Sequence, residues 1–450
     1  MALMRKSVER MRAWKSQKGR QALLVSGARQ VGKTFLIRSF IAESYEHAVE
    51  INLVEMPDAR DAFDSAHDAH SLFLRISAFA QDDLVPHKTA IFIDEVQESS
   101  EVLTALKFLV DRYGDEYDFI VSGSLLGVEL RNIRSLPVGY LSIIEMFPLD
   151  FEEYCWANGM GNAVLEEARA AYRELRPIDA FVDQRLRNLF HEYLLVGGMP
   201  DVVQTFLESH NMQQVRARQT DIINLYRLDI SKYAGPRARV VRKIFDLIPA
   251  ELNTQSKRFA FSHVEEGGRF DRYDSDFAWL VDASVALPVC NVAEPRYPLE
   301  LSVDSAFFKF FLSDVGLLTC MAGMNVVRDL LADRTDVNFG SLYENYVAQE
   351  LAAHGLGHPA PERHLFFFRN RRQGELDFII EDASMRAVPL EVKSGKGYQR
   401  HSALNRVLEV ENYGIERAVV LYEGNVELSG RVAYLPIYMT MFLDEVPLAC

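Results

Sequence analysis

One stretch limits what this chain can fold into: Ala22 to Phe40, ALLVSGARQVGKTFLIRSF. Ala22, Leu23, Leu24 and Val25 read as a buried strand, and Phe35, Leu36, Ile37 and Phe40 as the apolar side of a helix. Between them lies Gly27-Ala28-Arg29-Gln30-Val31-Gly32-Lys33-Thr34, a complete G-x-x-x-x-G-K-T. The glycines let the backbone wrap so that successive N–H groups point at phosphate oxygens. The helix behind adds the positive end of its dipole. Lys33 is placed to reach the β- and γ-phosphates, and the Thr34 hydroxyl to sit on Mg²⁺. All eight loop residues are therefore expected to bind ATP. A turn that merely carries Lys-Thr is the bland alternative, and the flanking strand and helix weigh against it.

The chemistry that such a loop needs appears roughly 60 residues further on. Lys88-Thr89-Ala90-Ile91-Phe92-Ile93-Asp94-Glu95 is an apolar run that ends in two carboxylates, as at the C-terminal end of a central parallel strand. Asp94 is expected to hold Mg²⁺, and Glu95 to orient and deprotonate the attacking water. A further strand, Asp118 to Val121, runs into Ser122-Gly123-Ser124. Hydroxyls at that tip are candidates to sense the γ-phosphate or hold the water, against an ordinary strand-to-helix turn rich in Ser and Gly. Ala48 to Leu53 reads as another short strand. Strands alternating with helices predict a parallel sheet covered on both faces.

The rest of the composition sets bounds. A chain of 450 residues holds several domains, and 48% hydrophobic with 25% charged residues is a globular profile with proper cores. No apolar run approaches the ~18 residues that span a bilayer, so no membrane role is expected. The basic start, MALMRKSVERMRAWKSQKGR, lacks an apolar core and a cleavage site. Val8, Met11 and Trp14 have helical spacing there instead. Cys155, Cys290, Cys320 and Cys450 are scattered, in no metal-ligand spacing. They point to a reducing, cytoplasmic setting. A net charge of −15 argues against indiscriminate nucleic-acid binding while leaving local basic patches open.

From Phe147 to Tyr233 the chain is helical in pattern, punctuated by Gly197-Gly198-Met199-Pro200, and reads as a helical lid over residues 151–235. Arg227 in the lid and Arg237 just after it are candidate arginine fingers, though exposed arginines are common. Residues 236–325 change texture. A helix with Val240, Val241, Ile244, Phe245 and Ile248, another with Phe277, Leu280 and Val281, and a strand from Val285 suggest a winged helix. Its candidate recognition helix carries Asp271, Asp274, Asp276 and Asp282, a poor face for a phosphate backbone. Arg237, Arg239, Arg242 and Lys243 offer a basic run instead.

Residues 326–450 open with an amphipathic helix from Asn338 to Val347 and continue with three strands. These are His364 to Phe368, Gly374 to Ile380 and Val388 to Lys393. Side chains alternate on a strand, so Glu391 and Lys393 share a face. A carboxylate on one strand followed by E-x-K on the next is the layout of a restriction-endonuclease-type, PD-(D/E)xK metal site. Asp377 and Glu391 are expected to bind Mg²⁺ with the Val392 carbonyl, and Glu344 to add a ligand. Lys393 is the catalytic candidate, positioning water and stabilising charge at the phosphate. Arg363, Arg369, Arg371, Arg372, Lys396 and Arg400 flank the site. The bland alternative is an ordinary Glu–Lys pair on one strand face.

Together these residues resemble a known group, prokaryotic AAA-superfamily ATPases with a C-terminal restriction-endonuclease-like domain of unassigned function. The motifs that carry the resemblance cover nearly the whole chain: GARQVGKT (27–34), FIDEVQ (92–97), VSGS (121–124), LPVG followed by FPLDFEEY (136–154), YLLVGGMPDVV (193–203), SLYENYVAQEL (341–351), and ELDFII with LEVKSG (375–395). The resemblance implies an AAA-type core over 1–150, a helical lid, a winged helix and a nuclease-like end. Many relatives carry a basic residue just after LPVG, where this chain has Tyr140. Arg131 and Arg134 are nearby substitutes.

The fold class expected is thus a multidomain α/β chain. It has a P-loop parallel α/β ATPase core, helical lid, winged-helix module and C-terminal α/β restriction-endonuclease-like domain. The function expected is Mg-ATP hydrolysis that drives a conformational switch and acts on DNA through the C-terminal domain. The alternative is a nucleotide-gated binding or regulatory module with a silent nuclease fold. DNA, a protein partner and a second copy of the chain are candidate partners. No aromatic pore loop supports a ring-shaped remodelling ATPase.

Overall fold

The computed structural model describes residues 3–17, 19, 21–66, 68–81, 83–124, 139–254, 256–323, 339–357, 364–395 and 397–445. Arg131, Arg134, residues 136–138 of LPVG, Asn338, Arg363, Lys396 and Cys450 lie outside the described residues. The chain divides into two compact units. One is Arg5–Phe147 with Asp282–Ser284; the other is Met1–Met4, Pro148–Val281 and Val285–Cys450. Among the described residues no helix is long and apolar enough to cross a membrane.

The first unit is built on five strands: β1 (Ala22–Ser26), β2 (His47–Asn52), β3 (Thr89–Asp94), β4 (Asp118–Ser122) and β5 (Leu141–Glu145). They lie in the order β2-β3-β4-β1-β5, every neighbouring pair parallel. β1 and β3 are buried along their whole length, as apolar runs covered by helices on both faces must be. On the helix Lys33–Ser44, Leu36, Ile37 and Phe40 are buried, whereas Phe35, expected on the same side, is exposed. The core that holds the sheet joins Ile91, Ile93 and Val121 to Leu72, Ile76, Leu103, Leu106 and Val110 of the covering helices.

The second unit combines a helical region with an eight-stranded mixed sheet. Its helices include Phe151–Ala157, Asn162–Glu174, Ala180–Val196, Pro200–Ser209, Met212–Tyr233 and Ala238–Leu252. Its strands are β6 (Ala286–Val292), β7 (Val303–Leu312), β8 (Leu365–Asn370), β9 (Gly374–Glu381), β10 (Ala387–Val392), β11 (Ala418–Tyr422), β12 (Glu427–Ser429) and β13 (Val432–Pro436). Their order is β12-β13-β11-β10-β9-β8-β6-β7. β6 pairs antiparallel with β7 and parallel with β8. The strand from Val285, expected to belong to a separate winged-helix module, is thus hydrogen-bonded into the C-terminal sheet, which runs across the expected boundary at 325/326. β6 is buried almost throughout and needs a ladder partner on each side, which β7 and β8 supply.

One helix organises this unit. Gly340–Ala353 is buried at every residue from Leu342 to Leu351, although four of those residues are polar. Each polar group has a task. Asn345 accepts from Leu312 N at 2.9 Å and donates to Leu312 O at 3.0 Å. Gln349 accepts from Val315 N and Glu350 from Phe151 N, both at 2.9 Å. Glu344 faces lysines. The Gly-Gly pair at 197–198 is fixed in the same way: Gly198 N donates to Asp314 Oδ2 at 2.6 Å, and Leu149 N to Gly198 O at 2.7 Å.

Candidate active site

The phosphate loop sits between the end of β1 and the helix Lys33–Ser44. Gly27 (φ +136°) and Gly32 (φ +89°) take backbone conformations that a side chain would oppose. The helix begins on Gly32 without a side-chain capping bond, so its leading N–H groups are left for an anion. Lys33 is buried, and its Nζ donates to Gly27 O and Ala28 O, both at 2.8 Å, closing the loop on itself. Burial pulls its ammonium down to about 8, against the charges of Glu95 and Asp94, which hold it up.

Strand order brings the remaining groups to this loop. β4 lies between β1 and β3, so Ser122 ends beside both the loop strand and Asp94. Asn52 on β2 is in register with Asp94 on β3. Asp94 Oδ2 accepts from the Thr34 hydroxyl at 2.9 Å and from Asn52 Nδ2 at 3.3 Å. Asp94 Oδ1 accepts from Glu95 N at 3.0 Å and from the Ser122 hydroxyl. These four donors are neutral, so none of them offsets a carboxylate's charge. Glu95 takes a left-handed backbone (φ +56°), a strained choice that active sites tolerate. Gln97 Nε2 donates to its Oε2, and the Ser124 hydroxyl stands 3.4 Å from the same oxygen. These residues fit Mg-ATP: uncapped N–H groups and Lys33 for phosphate, the Thr34–Asp94 pair for the metal.

A second cluster of charge lies in the other unit. The helix Gly340–Ala353 supplies Glu344, β9 supplies Glu375 and Asp377, β10 supplies Glu391, and Lys393 follows β10. Lys393 Nζ donates to Glu391 Oε1 at 2.6 Å. Asp377 Oδ2 accepts from Val392 N at 2.8 Å. Lys309, on β7 and 1% exposed, stands 2.9 Å from Glu375 Oε1, 3.7 Å from Glu344 Oε2 and 3.8 Å from Asp377 Oδ1. Lys257 binds Glu344 Oε1, and Arg369 lies 3.5 Å from Glu375 Oε2. Burial works to lower the Lys309 pKa, but Glu344, Asp377 and Glu375 more than reverse it and hold the ammonium above the ordinary lysine range.

Glu344, Asp377 and Glu391, the residues expected to bind Mg²⁺, belong to this cluster. Among the described residues no three His, Cys, Asp or Glu side chains are arranged to hold a metal ion. The carboxylates lie close together, but lysine ammoniums meet their charge and a backbone N–H takes one Asp377 oxygen. The divalent ion that a nuclease-type site implies does not fit this arrangement.

Residues 19–155 match the family model described as AAA domain. The N-terminal unit carries an AAA-type P-loop ATPase domain. Residues 187–328 and 339–439 match two models each described as a domain of unknown function, DUF8612 and DUF4143. No curated protein matches the chain. Similar solved structures include the Walker-type ATPase of Pyrococcus abyssi (14% identity, TM-score 0.41), covering 71% of this chain and 96% of that one. The ORC1 protein of Aeropyrum pernix in complex with DNA is 11% identical with TM-score 0.29, covering 73% of this chain and 95% of that one. C. elegans PCH-2 is 16% identical with TM-score 0.26, covering 47% and 65%.

In the ATPase domain the structure brings Lys33, Thr34, Asp94, Glu95, Ser122 and Ser124 together. Ser122 bonds Asp94, which makes it a positioning residue rather than a free sensor. Arg227 and Arg237, the arginine-finger candidates, pair with Asp246 at 2.8 Å and with buried Asp276. Sequence reasoning missed Asn52, Gln97 and Arg5. Arg5 donates to Val31 O in the phosphate loop at 3.1 Å and to Phe147 O at 2.6 Å, bracing the loop. A polar residue closing an apolar strand, as Asn52 does, was the available signal.

Proposed function

We propose that this chain binds and hydrolyses Mg-ATP and uses the cycle as a conformational switch. The observation that carries the reading is Asp94, held by the neutral donors Thr34, Asn52 and Ser122 beside Glu95 and the phosphate loop. The loop N–H groups and Lys33 hold the phosphates. Thr34 and Asp94 would hold Mg²⁺, which when bound would supply positive charge to offset that building on the β- and γ-phosphate oxygens. Glu95, oriented by Gln97, orients the attacking water and accepts its proton. The test is Glu95→Gln. Nucleotide binding is expected to survive while phosphate release falls at least about a hundredfold, the scale of losing a positioned base. Loss of binding, or unchanged release, would defeat the assignment.

For the C-terminal unit we take the binding or regulatory reading over DNA cleavage. Its support is the lysine pairing of Glu344 and Glu391, two of the three carboxylates expected to bind Mg²⁺. Plasmid and single-stranded DNA incubated with Mg²⁺ or Mn²⁺, with and without ATP, are expected to stay intact. Cleavage that disappears in Lys393→Ala would reinstate the nuclease.

A further inference from the structure

Four carboxylates meet in the C-terminal cluster: Glu344, Glu375, Asp377 and Glu391. Four cationic side chains answer them: Lys257, Lys309, Lys393 and Arg369. Three of the cations have some contact with water, but Lys309 has almost none. A buried charge persists only when paired. Lys309 has carboxylates from two different elements around it, Glu344 from the helix and Glu375 and Asp377 from β9.

We propose that the Lys309 ammonium is the resident cation of this cluster and holds the place among Glu344, Glu375 and Asp377 that a divalent metal would need. The inference rests on the silent reading of the C-terminal unit. Lys309 cannot easily swing away. Its residue pairs with Val289 across the β6–β7 ladder and bridges to Arg258 on its other side. Lys257, next to Arg258 in the chain, binds Glu344. The Lys309 ammonium lies 5.0 Å from the centre of the Phe367 ring, which closes a further side. Two carboxylate oxygens of the cluster, Glu344 Oε2 and Glu391 Oε2, are buried without a hydrogen bond. Such oxygens are what Mg²⁺ or Mn²⁺ selects. Removing the ammonium takes away the cation that stands among these carboxylates and leaves their oxygens open to competition by a divalent cation.

The test measures Mn²⁺ binding to the full chain by the electron paramagnetic resonance of the free ion, without nucleotide. Asp94→Asn is carried throughout to remove the metal ligand of the ATPase domain. With Lys309 present, no Mn²⁺ is expected to bind. Lys309→Ala is expected to bind one Mn²⁺ per chain, and adding Glu344→Gln to abolish it. Lys309→Arg, which keeps the charge, is expected to bind none. One Mn²⁺ bound with Lys309 in place and sensitive to Glu344→Gln overturns the proposal, as does no binding by folded Lys309→Ala. If Lys309→Ala does not fold, the pair Lys309→Met and Glu344→Gln decides. Removing cation and carboxylate together is expected to restore a melting transition that Lys309→Met alone loses. A double variant no better than the single overturns the proposal. DNA cleavage by the unaltered chain would remove the silent reading itself. A Lys309→Ala chain that binds no Mn²⁺, while the unaltered chain leaves DNA intact, removes only the Lys309 assignment.

Discussion

The two acidic clusters use carboxylates in opposite ways. Around Asp94, among the described residues, the hydrogen-bond donors are two hydroxyls, an amide and a backbone N–H, all neutral. They fix the oxygens and leave the negative charge to act on a cation. Around Glu344, Glu375 and Glu391 the partners are lysines and an arginine, so charge cancels charge locally. A carboxylate's function thus depends on whether its donors are neutral or cationic, and both kinds of site can stand at the end of a similar apolar strand.

The comparison breaks most sharply at the two buried lysines. Lys33→Ala is expected to lower ATP turnover by about 10² to 10³, the scale of removing a donor to developing charge, read by phosphate release. Unchanged turnover would move the chemistry elsewhere. Lys309→Met is expected to cost about 3–5 kcal/mol of stability, because it strands buried carboxylates, read as the urea midpoint. A loss below about 1 kcal/mol, the usual worth of a surface ion pair, would show that the cluster is not closed around this ammonium. Ser122→Ala tests the neutral-donor side. It loses one bond to Asp94, worth roughly 1–2 kcal/mol, so turnover should fall about tenfold with the nucleotide still bound.

The smallest effect is a pH dependence. Burial has lowered Lys33 to about 8, so the unfolded chain binds more protons between that value and the ordinary lysine range. The stability contribution of this group therefore rises with pH across that window. Binding a phosphate favours the charged form. ATP affinity should then decline above pH 8, by about tenfold per unit at most, in titrations from pH 7 to 9.5. A flat profile would mean that Lys33 stays charged throughout.

How much was legible in the sequence follows from how local each site is. Gly27 to Thr34 are consecutive, so the loop that binds phosphate is written in one line of sequence. Asp94, Glu95 and Ser122 close apolar strands, and a parallel sheet places such ends together. Asn52 and Gln97 escaped because their roles depend on β2 lying beside β3 and on the bend after Glu95. In the second unit Glu344, Asp377, Glu391 and Lys393 were named, and the structure does make them neighbours. Their pairing was not legible, because Lys309 reaches the cluster on β7, which joins the C-terminal sheet through β6, and Lys257 comes from a distant segment beside Arg258. A signal was present nonetheless. Lys309 stands alone in Phe307-Phe308-Lys309-Phe310-Phe311, and a charge inside such a run must have a partner.

The most direct measurement is the number of Mn²⁺ ions bound per unaltered chain, with and without a non-hydrolysable ATP analogue. The account predicts one ion with the analogue, weakened by Asp94→Asn, and none without it. A second ion, or one that binds without nucleotide and depends on Glu344, would contradict the distinction between the two clusters.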